Sequence, residues 1–181
     1  MNPRIVEKRS FRVAGVAIRT NEEENRLNGT IPAFWERVRR DETFWRELEK
    51  IAIGSATLGL STNFDGRDFS YWIAREIEAR SEVPPGMQTV TIPAQSYAVF
   101  TAAGEFPRSV WRTVDFIYND WLKRSGHRRA SGPDCEWYDS RYDVATGSGE
   151  VACTFRSTYR PERMKRSRHA GDLSSTTARA A

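Results

Sequence analysis

The spacing of hydrophobic and polar positions changes several times along the chain, and each change marks an element. Phe11 to Arg19 is dense in small and β-branched apolar residues and predicts a strand. Asn21 to Gly29 is polar, ends in Asn-Gly and reads as a loop. Ile31, Phe34, Trp35 and Val38 then recur at i, i+3, i+4 and i+7, and Trp45, Leu48 and Ala52 continue the stripe. This predicts an amphipathic helix from Ile31 to Ile51, opened by Thr30 and Pro32 and broken near Asp41. Its aromatic stripe reads as core rather than as a cofactor box. Ile53 to Ser61, with two internal glycines, reads as a strand. Phe69 to Ile77 fits helix or strand by its own pattern. Asp65-Gly66 between the two apolar runs is a hairpin signal and decides for strand. Pro84-Pro85-Gly86 can continue neither element and is the clearest linker.

The second half repeats the plan. Met87 to Ala103 holds apolar runs broken at Pro93, a strand pair or one bent strand. Gly104 to Pro107 opens a helix whose stripe is Val110, Trp111, Val114, Ile117, Tyr118 and Trp121, and Ser125-Gly126 stops it. A short strand follows Gly132-Pro133, then a loop from Asp143 to Gly149 and a last strand from Glu150 to Tyr159. Strand, helix and hairpin thus occur twice, over about 4–82 and 87–160, with negligible identity between the halves. The expected fold class is α+β: duplicated strand–helix–strand–strand units forming an antiparallel sheet around a central cleft, with two main helices, one from each half, on the outer faces. Residues 161–181 have no apolar periodicity and are expected to be a disordered basic tail.

Length and composition narrow the function. The 181 residues include 21 aromatics, six of them Trp, which suits one domain with a core and an aromatic-lined pocket. Of the 28 basic residues six follow Tyr159, as do two of the 24 acidic ones, so the stretch before carries 22 of each. A neutral body argues against specific nucleic-acid binding. The N-terminus has no apolar signal core and no run approaches membrane length, so no membrane partner is expected and the cytoplasm is the expected compartment. Cys135 and Cys153 make no disulfide framework and read as two small buried residues. His127 and His169 sit beside arginines and read as solvated. No metal-ligand spacing, phosphate-cradling glycine loop or nucleophile elbow is present, so neither metal nor cofactor is expected.

The chemistry concentrates in Gly132 to Asp139. In a strand, Asp134, Glu136 and Tyr138 share one face, and Cys135 and Trp137 the other. If the first face is buried, Glu136 is paired, protonated, or held for a cationic ligand. If it is exposed, Glu136 is a solvated residue. Arg141, five residues on, points to the opposite face from Glu136.

Ile92 to Phe100, Gly104, the Trp111 helix ending Asp120-Trp121-Leu122, Ser125-Gly126 and Gly132 to Asp139 together resemble the GyrI-like small-molecule-binding domain. This is the effector-binding domain of AraC-type and multidrug-sensing bacterial regulators. Val13 to Asn21 and the Trp35 helix fit more weakly. The resemblance implies an aromatic-walled pocket with an acidic residue at its floor. Glu136 matches the acid, and Tyr138, Trp111, Trp72, Trp35 and Tyr97 are the candidate ligand-binding residues beside it. No helix-turn-helix is found in the sequence, so the chain is similar to stand-alone members of the family. Three readings follow, in order of preference. The first is capture of a lipophilic small molecule, cationic or aromatic. The second is hydrolysis of a strained electrophile, with Glu136 activating water and Tyr138 donating to the leaving oxygen. The third is a gyrase-inhibitor-like protein-binding module.

Overall fold

The computed structural model describes residues 1–130, 132–143, 146 and 148–159; at 148 and 153–159 the description is of the backbone. The tail after Pro161, with His169, and the Cys153 side chain lie outside the described residues. The first half runs β1 (Arg4–Lys8), β2 (Phe11–Asn21), α1 (Glu22–Asn28), α2 (Thr30–Arg39), α3 (Glu42–Glu49), β3 (Ala52–Asp65) and β4 (Asp68–Ile77). The second runs β5 (Gln88–Ile92), β6 (Gln95–Glu105), α4 (Arg108–Phe116), a π-helical turn (Ile117–Trp121) and α5 (Leu122–Arg124). It continues with β7 (His127–Arg129), β8 (Asp134–Tyr138), β9 (Tyr142–Asp143) and β10 (Ser148–Tyr159).

The strands form one antiparallel sheet in the order β1-β6-β10-β8-β3-β4-β2-β5, with β7 and β9 also paired to β10. The two halves meet at β3 and β8, where Gly59 lies opposite Glu136. Their leading strands are exchanged: β1 pairs with β6 of the second half, and β5 with β2 of the first. The apolar run Met87–Ala103 therefore yields two strands that do not pair with each other. The sheet curls strongly. Lys8 on β1 reaches Glu76 on β4 at 3.0 Å, and the rings of Phe11 on β2 and Trp137 on β8 lie 5.8 Å apart across three strand positions.

Alternation sorts the side chains onto two faces. On the outer face Tyr71, Ile73, Ile77, Phe100 and Tyr138 pack against Phe34, Trp35, Val38, Phe44 and Leu48 of α2 and α3 and against Val110 of α4. The inner face closes on itself with Phe11, Val13, Leu58, Leu60, Trp72, Tyr97 and Cys135. The expected α+β fold with its duplicated units is the one observed.

The helix expected over Ile31 to Ile51 is two helices, broken at Arg40-Asp41. The Asp41 carboxylate accepts the Phe44 N–H at 2.9 Å and caps the second. Trp45 Nε1 donates across the break to the Val38 carbonyl at 2.9 Å and fixes α3 against α2. Asn21 to Gly29, expected to be a loop, is helical. α1 buries no residue, so no apolar stripe announces it. It is held by its ends: the Asn21 side chain accepts the Glu24 N–H at 2.8 Å, Glu22, Glu23 and Glu24 occupy the positive N-terminal turn, and Gly29 closes the helix at φ +60°. Asn21→Ala is therefore expected to cost about 1 kcal/mol in urea unfolding. Asn21→Ser, which keeps an acceptor, should recover most of that loss. An unchanged midpoint for the alanine variant would show that the cap does not hold α1.

Candidate functional site

The seam between the halves carries a buried polar cluster. Gly59 on β3 faces outward between Tyr71 of β4 and Glu136 of β8 and leaves room for both. A Cβ at Gly59 would lie 2.3 Å from the Tyr71 hydroxyl and 2.7 Å from Glu136 Oε2. Into that space Tyr71 donates to Oε2 at 2.8 Å, and Tyr138 donates to the same oxygen at 2.8 Å. Trp35 Nε1, from α2, donates to the Tyr71 hydroxyl at 3.0 Å. Tyr71, Tyr138 and Trp35 are buried, and Glu136 is half-buried.

Burial pushes the Glu136 carboxyl above the usual carboxylate range. The hydrogen bonds from Tyr138 and Tyr71 oppose that shift, and the Asp134 charge adds to it. Burial, reinforced by the Glu136 charge, drives the Tyr71 phenol well up, so it stays a proton donor. Hydrogen bonds to a charged group are worth about 1.5–3 kcal/mol each and offset part of the desolvation. Among the described residues no basic side chain forms an ion pair with Glu136. Arg141 instead forks onto Asp139, at 2.9 and 2.8 Å.

Above this cluster opens a cleft of about 410 Å³ between α2–α3 and the segment from Tyr138 to Tyr142. Its rings are Trp35, Trp45, Phe106, Tyr138 and Tyr142; Ser55, Thr57 and Ser140 are its hydroxyls; Arg39, Arg75 and Asp139 are its charges. Tyr138 is the hub, edge-on to Trp35 at 5.0 Å, Tyr142 at 5.1 Å and Phe106 at 5.8 Å. Glu136 does not itself line the cleft; its carboxyl lies one hydrogen bond behind the Tyr138 hydroxyl. β3 has a register shift between Ala52 and Thr57, and Ser55 within it lines the cleft with Thr57.

Of the residues singled out in the sequence, the structure brings together Glu136, Tyr138 and Trp35. It places the others elsewhere. Trp72 and Tyr97 pack on the inner face; Trp72 Nε1 donates to Thr62 Oγ1 at 2.9 Å, and Gln95 donates to the Tyr97 hydroxyl. Trp111 is 48% exposed on α4, beside a separate hollow shared with Glu105, Arg108 and Arg112. His127 is half-buried and stacks on Trp121 at 4.8 Å rather than standing in solvent. Sequence reasoning missed Tyr71, Gly59, Trp45, Arg39, Arg75, Phe106 and Tyr142. The strand reading of Phe69 to Ile77 held one usable signal, since it sets Tyr71 and Trp72 on opposite faces. Among the described residues no three His, Cys, Asp or Glu side chains group as a metal ligand set, and no helix is long and apolar enough to cross a membrane.

Comparison with known proteins places this geometry. The family model of Cass2, the integron-associated effector binding protein, matches residues 4–151. The transcriptional regulator BrlR of Pseudomonas aeruginosa is 30% identical over 142 residues, which are 78% of this chain and 50% of BrlR. The chain thus spans about half the length of this curated relative. SAV2435, solved bound to tetraphenylphosphonium, superposes with a TM-score of 0.74 at 19% identity, over 87% of this chain and 94% of that one. The integron cassette protein VCH_CASS2 of Vibrio cholerae gives 0.67 at 21% identity, over 87% and 96%. At those identities the likeness to the solved structures is one of fold, while the family match extends over most of the chain. The chain belongs to the integron-associated effector binding proteins, a branch of the GyrI-like small-molecule-binding domains.

Proposed function

We propose that the cleft over the seam binds a lipophilic aromatic cation, with Glu136 as its counter-charge. The observation that carries this reading is a half-buried Glu136 whose desolvated carboxylate has hydroxyl donors but, among the described residues, no cationic partner. The five rings of the wall suit an aromatic cation, each face-on contact adding roughly 0.5–2 kcal/mol. Glu136 acts across the Tyr138 hydroxyl rather than by contact. At a separation of about 7 Å and an effective dielectric of about 20, its attraction for a cation is about 2 kcal/mol, which works against the repulsion from Arg39 and Arg75 in the wall. SAV2435, which shares the fold, binds such a cation, tetraphenylphosphonium. As a general base Glu136 would have to take a proton at a carboxylate whose Oε2 already accepts two hydroxyls, so capture is the reading that the cluster supports better.

The test is a titration with tetraphenylphosphonium, followed by quenching of Trp35 and Trp45 fluorescence. Binding is expected, and its absence defeats the proposal. The pH dependence supplies a second readout. Glu136 holds its proton more tightly folded than unfolded, so the apo protein gains stability as pH falls from the raised pKa toward the ordinary carboxylate value and loses it on the way back. Cation affinity runs the other way: it rises with pH over the same window as the carboxyl ionises. A cation affinity that does not change across that window would show that Glu136 is not the counter-charge.

A further inference from the structure

Two arginines, Arg39 and Arg75, stand in the wall of the cleft, and Arg75 has no acid to match it among the described residues. Arg75, on β4, is half-buried; its Nε reaches Thr57 Oγ1 at 3.5 Å and its guanidinium lies 5.6 Å from the centroid of Trp45. Among the described residues no carboxylate forms an ion pair with it. Arg39, on α2, meets Glu36 at 3.6 Å on an exposed face, and its charge opposes the upward push that burial gives the Tyr142 phenol. Among the described residues the one acid in the lining, Asp139, is occupied by Arg141. A half-buried guanidinium stacked on an indole is held in place, and its open donors have the fork geometry that fits a carboxylate.

The register sets this positive wall against the negative seam. Arg75 lies opposite Thr57 and Glu136 opposite Gly59, two positions along β3 on the same face. Strand spacing and rise put their Cα atoms about 12 Å apart. A molecule lying across β3 therefore has the Arg75 guanidinium at one end and, toward the other, the Tyr138 hydroxyl with the Glu136 carboxylate behind it.

We propose that the ligand of this cleft is amphoteric: an aromatic cation that also carries a carboxylate or similar acid, the cation drawn toward Glu136 and the acid received by Arg75, with Arg39 as a second donor. This rests on the cation-binding reading of the same cleft and adds the acid end to it.

The test compares (4-carboxybutyl)triphenylphosphonium with its methyl ester. The two share one aromatic cation and differ in the acid. On the wild-type protein the acid is expected to bind at least about tenfold more tightly, by tryptophan quenching at fixed ionic strength. Arg75→Gln is expected to erase the ratio between the two, and Glu136→Gln to weaken both. The wild-type comparison needs no variant, so it stands even if Arg75→Gln unfolds. If the ester binds as tightly as the acid, the acid site is overturned while the cation reading survives. If neither compound binds, the cleft is not the ligand site and both proposals fall.

Discussion

Glu136→Gln is expected to weaken tetraphenylphosphonium binding by more than about tenfold, or roughly 1.4 kcal/mol, while leaving the empty protein as stable as wild type or more so. The two effects share one cause. The amide keeps the shape of the carboxyl, and its oxygen can still accept the Tyr71 and Tyr138 hydroxyls that now converge on Oε2. What disappears is a partly desolvated charge without a cationic partner among the described residues, whose removal relieves the desolvation that raises its pKa. Neutral aromatic ligands should bind about as before, because Trp35, Trp45 and Phe106 are untouched. Three measurements on one variant decide the matter: urea stability, cation affinity and neutral-ligand affinity. An unchanged cation affinity would sink the counter-charge role of Glu136.

Gly59→Ala should be the most damaging single methyl at the site. The Gly59 backbone is not in the left-handed region, so alanine can adopt it, and reduced unfolded-state entropy would by itself favour alanine. Space alone sets the cost. The new Cβ would lie 2.3 Å from the Tyr71 hydroxyl and 2.7 Å from Glu136 Oε2, and both must move. Tyr71 is 1% exposed and packed in the outer core, so its retreat strains neighbours as well as breaking its hydrogen bonds. The expected loss is about 1–3 kcal/mol in urea unfolding, with loss of cation binding. The clash predicts its own rescue. In a Tyr71→Phe background the nearest contact is gone, so Gly59→Ala should cost less there than in wild type. Equal costs in both backgrounds would mean that the glycine is not kept for that hydroxyl.

The architecture was largely legible because it follows from local periodicity. The hairpin at Asp65-Gly66, the break near Asp41 and the shared face of Asp134, Glu136 and Tyr138 all depend on residues a few positions apart. The site was legible in part. Glu136 stood out as a carboxylate beside Trp and Tyr, and its strand face followed from alternation. Its partners did not. Tyr71 stands 65 residues away and reaches Glu136 only because β3 brings β4 and β8 into register around Gly59. The sequence reading named Trp72 and not its neighbour Tyr71, since alternation alone does not say which face of β4 meets the seam. No sequence pattern links Arg75 to Arg39, which stand 36 residues apart; only the fold sets them around one cleft. α1 escaped because capping, not burial, makes it a helix.

The exchange of leading strands has a consequence for how the molecule comes apart. β1 and β6 bring Glu7 beside Ser96, 89 residues later, and β5 makes the return exchange onto β2. Closing a loop of that length costs about 4 kcal/mol of chain entropy, recovered only once both halves are in place. Neither half is then a cooperative unit by itself. The chain is expected to unfold in a single transition, with no state in which one repeat persists alone, and to fold slowly for its size because its decisive contacts are non-local. A cleft that straddles the seam of two interlocked halves is present whole or not at all.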